Sequence, residues 1–261
     1  MKQKLRTGII GLGNMGTAIL AQNPGFIGFD GERRRRVYAQ KHFRITLAGN
    51  SQELCRKADI IILAVKPADI DELLNETKRE LSGKLIISIA AGMPTAHIEK
   101  ILGTGSRVIR VMPNIAATVA HSVSAIAPGK NATGADIVNT EKIFKKLGSV
   151  IGLAENRIDA FTAVAGSGPA YFFFFMEALI EAAGKAGLGR TQALTIVSEV
   201  AEGSIALLRT KMPISTLRER ITSKGGTTEA ALNVMRERNM QGIISDAIQK
   251  AIQRAEELAR R

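Results

Sequence analysis

Gly11-Leu12-Gly13-Asn14-Met15-Gly16 follows an apolar run and opens a segment of helical character, which is the setting the G-x-G-x-x-G spacing requires. In that setting Gly11 permits a tight turn and Gly13 lets the backbone approach a diphosphate. Gly16 lets helix and strand pack closely, and the anion rests against free N–H groups at the helix start. Asp30 ends the next apolar run, where a carboxylate accepts hydrogen bonds from an adenosine ribose and repels a 2′-phosphate. Arg33 or Arg34 would instead grip that phosphate, so these residues pull in opposite directions and leave the choice between NADH and NADPH open. Replacing Asp30 by Ser is expected to shift preference toward the phosphorylated cofactor. A second cluster, Thr222-Ser223-Lys224-Gly225-Gly226-Thr227-Thr228, sets hydroxyls and glycines immediately before a helix. Exposed backbone N–H groups there suit a substrate carboxylate. The same residues also read as a plain helix cap, with Thr227 or Thr228 closing the start. His42, His97 and His121 are widely spaced, there is no cysteine pair, and no Gly-x-Ser-x-Gly elbow occurs. Neither a metal centre nor an acyl-transfer triad is expected, which leaves the hard chemistry to a cofactor.

The elements that must position these residues fall into two halves. Short β-rich runs alternate with amphipathic segments from Thr7 onward, the clearest being Asp59-Ile60-Ile61-Ile62-Leu63-Ala64-Val65, closed by Lys66-Pro67. Apolar strands without alternation, separated by helices, predict a parallel sheet buried on both faces. After about residue 157 the strands cease. Pro169 stands at a helix start, and Ile244, Ala247, Ile248, Ala251, Ile252, Ala255 and Leu258 recur at steps of three and four, the stripe of an amphipathic helix. The fold class expected is α/β: a Rossmann-type dinucleotide-binding domain over 1–157 and an all-helical domain over 158–261. The Gly166-Ser167-Gly168-Pro169 segment reads as a loop that interrupts the apolar stretch 160–176, so no segment is expected to span a membrane.

Composition narrows the class further. With 261 residues, 45% hydrophobic and 23% charged, the chain is long enough for one or two globular domains. Its net charge of +12 raises nucleic acid as a partner, but +10 of it falls in residues 1–157, and aromatics are only 4% with no Trp. Stacking platforms for bases are therefore scarce, and Arg33–Arg36 reads as a solvated helix face. The single cysteine, Cys55, fits a reducing compartment, and no apolar stretch follows the basic residues of Met1–Lys4. A cytoplasmic protein that binds neither nucleic acid nor membrane is expected.

Taken together, Gly11–Gly16, Ala64-Val65-Lys66-Pro67, Ser88-Ile89-Ala90-Ala91-Gly92, Arg107–Asn114, Gly166-Ser167-Gly168-Pro169-Ala170-Tyr171 and Thr222–Thr228 resemble the pyrroline-5-carboxylate reductase family over nearly the whole chain. The resemblance implies a helical domain that dimerises and an active site formed where the two domains meet across the dimer. It implies that Ile10, Gly11, Leu12, Gly13, Asn14, Met15 and Gly16, with Ala64, Val65, Lys66 and Pro67, hold the cofactor's phosphates and ribose, Asn50 lying near the adenosine. Ala90, Ala91, Met112, Pro113 and Asn114 are implied near the nicotinamide. Ser223, Gly226, Thr227 and Thr228 are implied as substrate-binding, the Thr228 hydroxyl meeting the ring nitrogen as the catalytic group. The implied reaction is hydride transfer from NADPH or NADH to the imine carbon of 1-pyrroline-5-carboxylate, giving L-proline. Lys224 and Ile115-Ala116 depart from the family pattern, where a proline and a Thr-Pro pair are usual.

Two other readings compete. One is another imine or β-hydroxyacid reductase of the same plan, for which Lys185 is the available acid; the other is a dinucleotide-sensing protein without catalysis. A homodimer or a multiple of it is expected, because the phenylalanines at 172–175 and the 244–258 stripe offer more apolar surface than a small helical unit buries alone.

Overall fold

The computed structural model describes residues 5–259, the last two by backbone alone. Met1–Lys4 and the Leu258 side chain of the apolar stripe lie outside the described residues. The chain divides into a first unit, 1–167 with 251–261, and a second unit, 168–250.

Among its described residues the first unit carries eight strands: β1 (Thr7–Ile10), β2 (Ile27–Phe29), β3 (Thr46–Leu47), β4 (Ile60–Leu63), β5 (Leu85–Ser88), β6 (Arg107–Met112), β7 (Ser122–Pro128) and β8 (Gly148–Gly152). They form one sheet in the order β3-β2-β1-β4-β5-β6-β7-β8. Six helices connect them: α1 (Asn14–Gln22), α2 (Arg33–His42), α3 (Ser51–Lys57), α4 (Ile70–Leu81), α5 (Thr95–Leu102) and α6 (Gly134–Phe144). Successive strand side chains point to opposite faces. Ile60 and Ile62 accordingly join Ile19 and Phe144 in one apolar layer, and Ile61 and Leu63 join Leu54, Leu74 and Ile98 in the other. Both faces are covered by helices, which is why the strands read as continuous apolar runs.

Not every strand is parallel. β7 runs antiparallel to β6, with Val111 opposite Ile126, while the remaining neighbours are parallel. Only residues 113–121 join β6 to β7, holding a 3-10 turn over Ile115–Val119. A parallel return needs a crossover of a dozen or more residues, so this connection reverses the chain.

The segment 166–169 is not a loop. Helix α7 (Ile158–Phe161) passes through a π-helical turn, Thr162–Gly166, into α8 (Gly168–Lys185). Ser167 N–H donates to the Thr162 carbonyl five residues back, at 3.0 Å. Pro169 has no N–H for the Ala165 carbonyl four residues back, and the Asn114 side-chain amide takes that acceptor at 3.0 Å. The π turn and this substitute donor let a helical stretch run from Glu155 to Lys185, long and apolar enough by length and composition to cross a membrane. Residues 158–167, grouped with the helical half by sequence, pack with the first unit, Ile158 being buried with Met112, Ala125 and Ala127.

The second unit contains α8, α9 (Arg190–Leu207), α10 (Ile214–Arg220), α11 (Thr227–Glu237) and the start of α12 (Met240–Ala259). It buries little: Ala193 and Val197 are covered, whereas Phe172, Phe173 and Phe174 are 61–74% exposed.

Candidate functional site

Strand order reverses between β1 and β4, and a crevice of about 820 Å³ opens beyond their carboxyl ends. Its floor is the turn from β1 to α1. Gly11 has φ +102°, and a Cβ there would stand 2.4 Å from the Ala64 carbonyl oxygen, so no side chain fits. A Cβ on Gly16 would stand 2.0 Å from the Gly11 carbonyl oxygen, and that closeness seats α1 on the strand end. Gly13 differs. A Cβ there would meet only an Arg35 Nη1, at 3.9 Å, so its backbone lies bare to the crevice. Gly13 also caps α1 without a side-chain hydrogen bond, leaving the first N–H groups of the helix free for an anion. These features fit the diphosphate of a dinucleotide.

The crevice is lined by Ile10, Gly11, Gly13 and Asn14, by Asp30 and Asn50, and by Ala64, Val65 and Lys66. Leu12 and Gly16 are buried, Met15 packs against the apolar layer around Leu12, and Pro67 opens a 3-10 turn, Pro67–Asp69, beside Lys66. Asn50 is committed through its Oδ1, which accepts from the Glu53 N–H at 2.7 Å and caps α3.

Asp30 follows β2 directly and lines the crevice. Its side chain is only 7% exposed. Oδ2 accepts from the Leu12 N–H at 2.7 Å and Oδ1 from the Glu32 N–H at 2.8 Å. Oδ2 thus ties the glycine turn, and Oδ1 the start of α2, to the end of β2. Arg33 and Arg34 are exposed and do not line the crevice. Arg35 does, with Nη2 2.7 Å from Glu32 Oε1 and Nη1 3.5 Å from Asp30 Oδ2. Arg36 turns back to donate to the carbonyls of Asp30 and Gly31. The opposite wall is acidic, formed by Asp69, Glu72 and Glu76. Glu76 is held by Ser51 and Gln52 at 3.0 and 2.7 Å. The sequence reading missed Glu32 and Arg35; a helical projection from residue 32 puts them three apart on one face.

Ala90 and Ala91 lie just beyond β5, Met112 ends β6 and Pro113 and Asn114 follow it, and none of the five lines this crevice. Asn114 is nearly buried and fully used. Its N–H donates to Ser122 Oγ, its Oδ1 accepts from the Ala116 N–H, and its Nδ2 holds the π turn.

In the second unit, Ser223–Gly226 forms a turn into α11. The Gly226 N–H donates to the Ser223 carbonyl at 3.0 Å, and the Gly225 N–H, on a residue with φ +72°, donates to Glu229 Oε2 at 2.7 Å. Gly226 is the helix cap and no side chain caps it, so neither Thr227 nor Thr228 plays the capping part allowed by sequence. Thr227, Thr228 and Glu229 therefore start the helix with free N–H groups, and Thr228 is half-buried beside them. Lys224 is exposed in the turn.

Lys185 pairs with Glu181 at 2.6 Å on an exposed helix face. That hydrogen bond and its charge raise the lysine's pKa above the ordinary value. Burial pushes the Cys55 thiol up to about 12. Among the described residues, no group of three or more His, Cys, Asp or Glu is placed to hold a metal ion.

A family model described as pyrroline-5-carboxylate reductase dimerisation matches residues 155–258. Another, described as NADP oxidoreductase coenzyme F420-dependent, matches residues 6–92. A pyrroline-5-carboxylate reductase from Methanosarcina acetivorans is 36% identical, the alignment covering 98% of each chain. The chain belongs to the pyrroline-5-carboxylate reductase family. A second member, from Aquifex aeolicus, is 33% identical over 97% of both chains. The solved pyrroline-5-carboxylate reductase of Coxiella burnetii superposes with a TM-score of 0.92 at 30% identity, covering 98% of this chain and 99% of that one. The Plasmodium falciparum enzyme, solved with NADP bound, gives 0.86 at 28% identity, covering 98% of each. Membership accounts for the α/β plus helical plan.

Proposed function

We propose that this protein reduces 1-pyrroline-5-carboxylate to L-proline with NADPH or NADH, the last step of proline biosynthesis. Family membership supports the reading, and the observation that carries it is the bare Gly13 backbone at the free end of α1, in the crevice where the strand order reverses. When bound, the nicotinamide supplies the hydride that adds to the imine carbon. The chain's own part is binding and orientation. Gly11, Gly13, Asn14 and the N–H groups of α1 hold the diphosphate, with Ala64, Val65, Lys66 and Asn50 along the ribose side. Ala90, Ala91, Met112, Pro113 and Asn114 shape the nicotinamide side. Ser223, Gly226 and Thr227 bind the substrate, its carboxylate held by the free backbone N–H groups at the start of α11. The Thr228 hydroxyl, uncommitted as a cap, orients the ring nitrogen, whose protonated form makes the imine carbon a better hydride acceptor.

We also propose a cytoplasmic homodimer or multiple of dimers, the exposed faces of α8 and α9 being covered by a second copy. The dinucleotide-binding part spans 1–157 and the dimerisation part 158–261, with no metal, nucleic acid or membrane involved. The hydroxyacid alternative asks for a catalytic lysine, and the engagement of Lys185 with Glu181 on an exposed face speaks against it.

The deciding assay follows loss of reduced-nicotinamide absorbance with pyrroline-5-carboxylate, with a β-keto acid, and with neither. Turnover with the imine alone is expected. Turnover with the keto acid, or none with the imine, overturns the reading. Light scattering is expected to give a multiple of twice the 28.0 kDa chain.

A further inference from the structure

We infer that the Glu32–Arg35 ion pair is the element that tunes this crevice between dinucleotides with and without a 2′-phosphate. The inference rests on the proposal that the crevice binds a dinucleotide, and it concerns residues that the sequence did not single out. In a nucleotide-binding sheet of this type the carboxylate ending the second strand reads the adenosine ribose. Here that carboxylate, Asp30, is buried, and each of its oxygens already accepts a backbone N–H. Asp30 still lines the crevice, but the more exposed polar groups beside it there, open to a 2′-substituent, are Glu32 and Arg35. Arg35 reaches back over the glycine turn, its Nη1 being the atom nearest a Cβ built on Gly13. That puts a guanidinium on the line from diphosphate to ribose, where a phosphate would accept two parallel N–H bonds.

The guanidinium is not free. Glu32 Oε1 holds it at 2.7 Å, and Arg34 holds the other Glu32 oxygen at 3.2 Å from outside the crevice. A 2′-phosphate must compete with the Glu32 carboxylate for Arg35 and also meet its negative charge. A bare ribose meets no such competition, because the carboxylate accepts its hydroxyls. Glu32 thus lowers the advantage Arg35 would otherwise give the phosphorylated cofactor, and the wild-type chain is expected to bind both.

The test is calorimetric titration of the full-length protein with 2′,5′-ADP and with ADP, which needs no turnover. Glu32→Gln keeps the shape and removes the competing charge. It should tighten 2′,5′-ADP about tenfold while ADP changes less than about twofold. Arg35→Gln should weaken 2′,5′-ADP about tenfold or more and leave ADP nearly unchanged. In the Arg35→Gln background, Glu32→Gln should favour the phosphorylated ligand far less, since only the direct repulsion between carboxylate and phosphate is left to relieve, the signature of a coupled pair. Both side chains are partly exposed, so all three variants should melt as the wild type does. If Glu32→Gln shifts both ligands equally, or favours 2′,5′-ADP as strongly without Arg35 as with it, the pair is not the discriminator. If both ligands bind the wild type and no variant moves their ratio, the proposal fails while the dinucleotide crevice stands. If neither ligand binds any form, the dinucleotide reading falls and this proposal with it.

Discussion

Two glycine turns feed two helices in this protein, and they are built on opposite principles. Gly11–Gly16 leads into α1 and Ser223–Gly226 into α11, and each helix is capped by a glycine without side-chain help, so each offers free N–H groups. The first turn is fixed from outside: Gly11 is pressed against the Ala64 backbone, and Leu12 is tied to a buried carboxylate eighteen residues away. The second is fixed from within. Its two hydrogen bonds, Gly226 to Ser223 and Gly225 to Glu229, span three and four residues, and a Cβ on Gly225 would meet nothing within 4 Å. The first turn is thus held by contacts that cross the fold, whereas the second depends on residues within one helical turn of itself.

The sharpest break of that contrast is a pair of alanine substitutions. Gly11→Ala sets a side chain into backbone at positive φ, and we predict a loss of about 3 kcal/mol or more, read as a collapse of the melting temperature. Gly225→Ala carries the left-handed penalty alone, about 1–2 kcal/mol. Equal losses would erase the distinction between the two turns. Next in size, Thr228→Val should lower kcat/KM roughly 10–100-fold, the worth of a transition-state hydrogen bond of about 1.5–3 kcal/mol. Its melting point should hold, because Gly226 is the cap. Thr227→Val should cost less, its contribution being a backbone N–H; a Thr228→Val variant that keeps full kcat/KM would remove the hydroxyl from the chemistry. Asp30→Ser leaves the buried Leu12 N–H without its acceptor, so a stability loss of about 1–3 kcal/mol is expected. Affinity for NADH and NADPH should fall together, in place of the selective shift that sequence alone suggests, and a clean shift toward NADPH would return Asp30 to the ribose. The smallest effect is reserved for Glu229→Gln, which weakens one exposed contact in the second turn by less than about 1 kcal/mol, measured by chemical denaturation.

How much of this could be read from the residues depends on how local each feature is. The strand β4 is visible because Ile60-Ile61-Ile62-Leu63 is a continuous apolar run, three of its residues β-branched, closed by Lys66-Pro67 within one window. The glycine spacing likewise carries its own context. The reversal of β7 is set by the shortness of the 113–121 connection, and strand direction leaves no mark in the apolar pattern of either strand. The continuity of helix through Gly166 and Pro169 depends on an amide from Asn114, fifty-one residues away. Asp30 shows the same limit: its place at the end of β2 is readable, its two N–H partners are not. The arginines fail for a subtler reason. Four in a row fill the first turn of α2, and with each residue turning about 100° only the register fixed by the helix start selects Arg35 over Arg33 and Arg34.

The reversal of β7 also decides where the molecule can be altered freely. Because β7 runs against β6, the loop after it emerges where β6 begins, with Gly129 N–H on the Val108 carbonyl and Asn131 Nδ2 on the Ser106 carbonyl. That is the end of the sheet away from the crevice, and Lys130 and Asn131 are exposed there. A fluorophore, a surface tether or a foreign peptide placed between those two residues would ride on the sheet with the mouth of the crevice left clear.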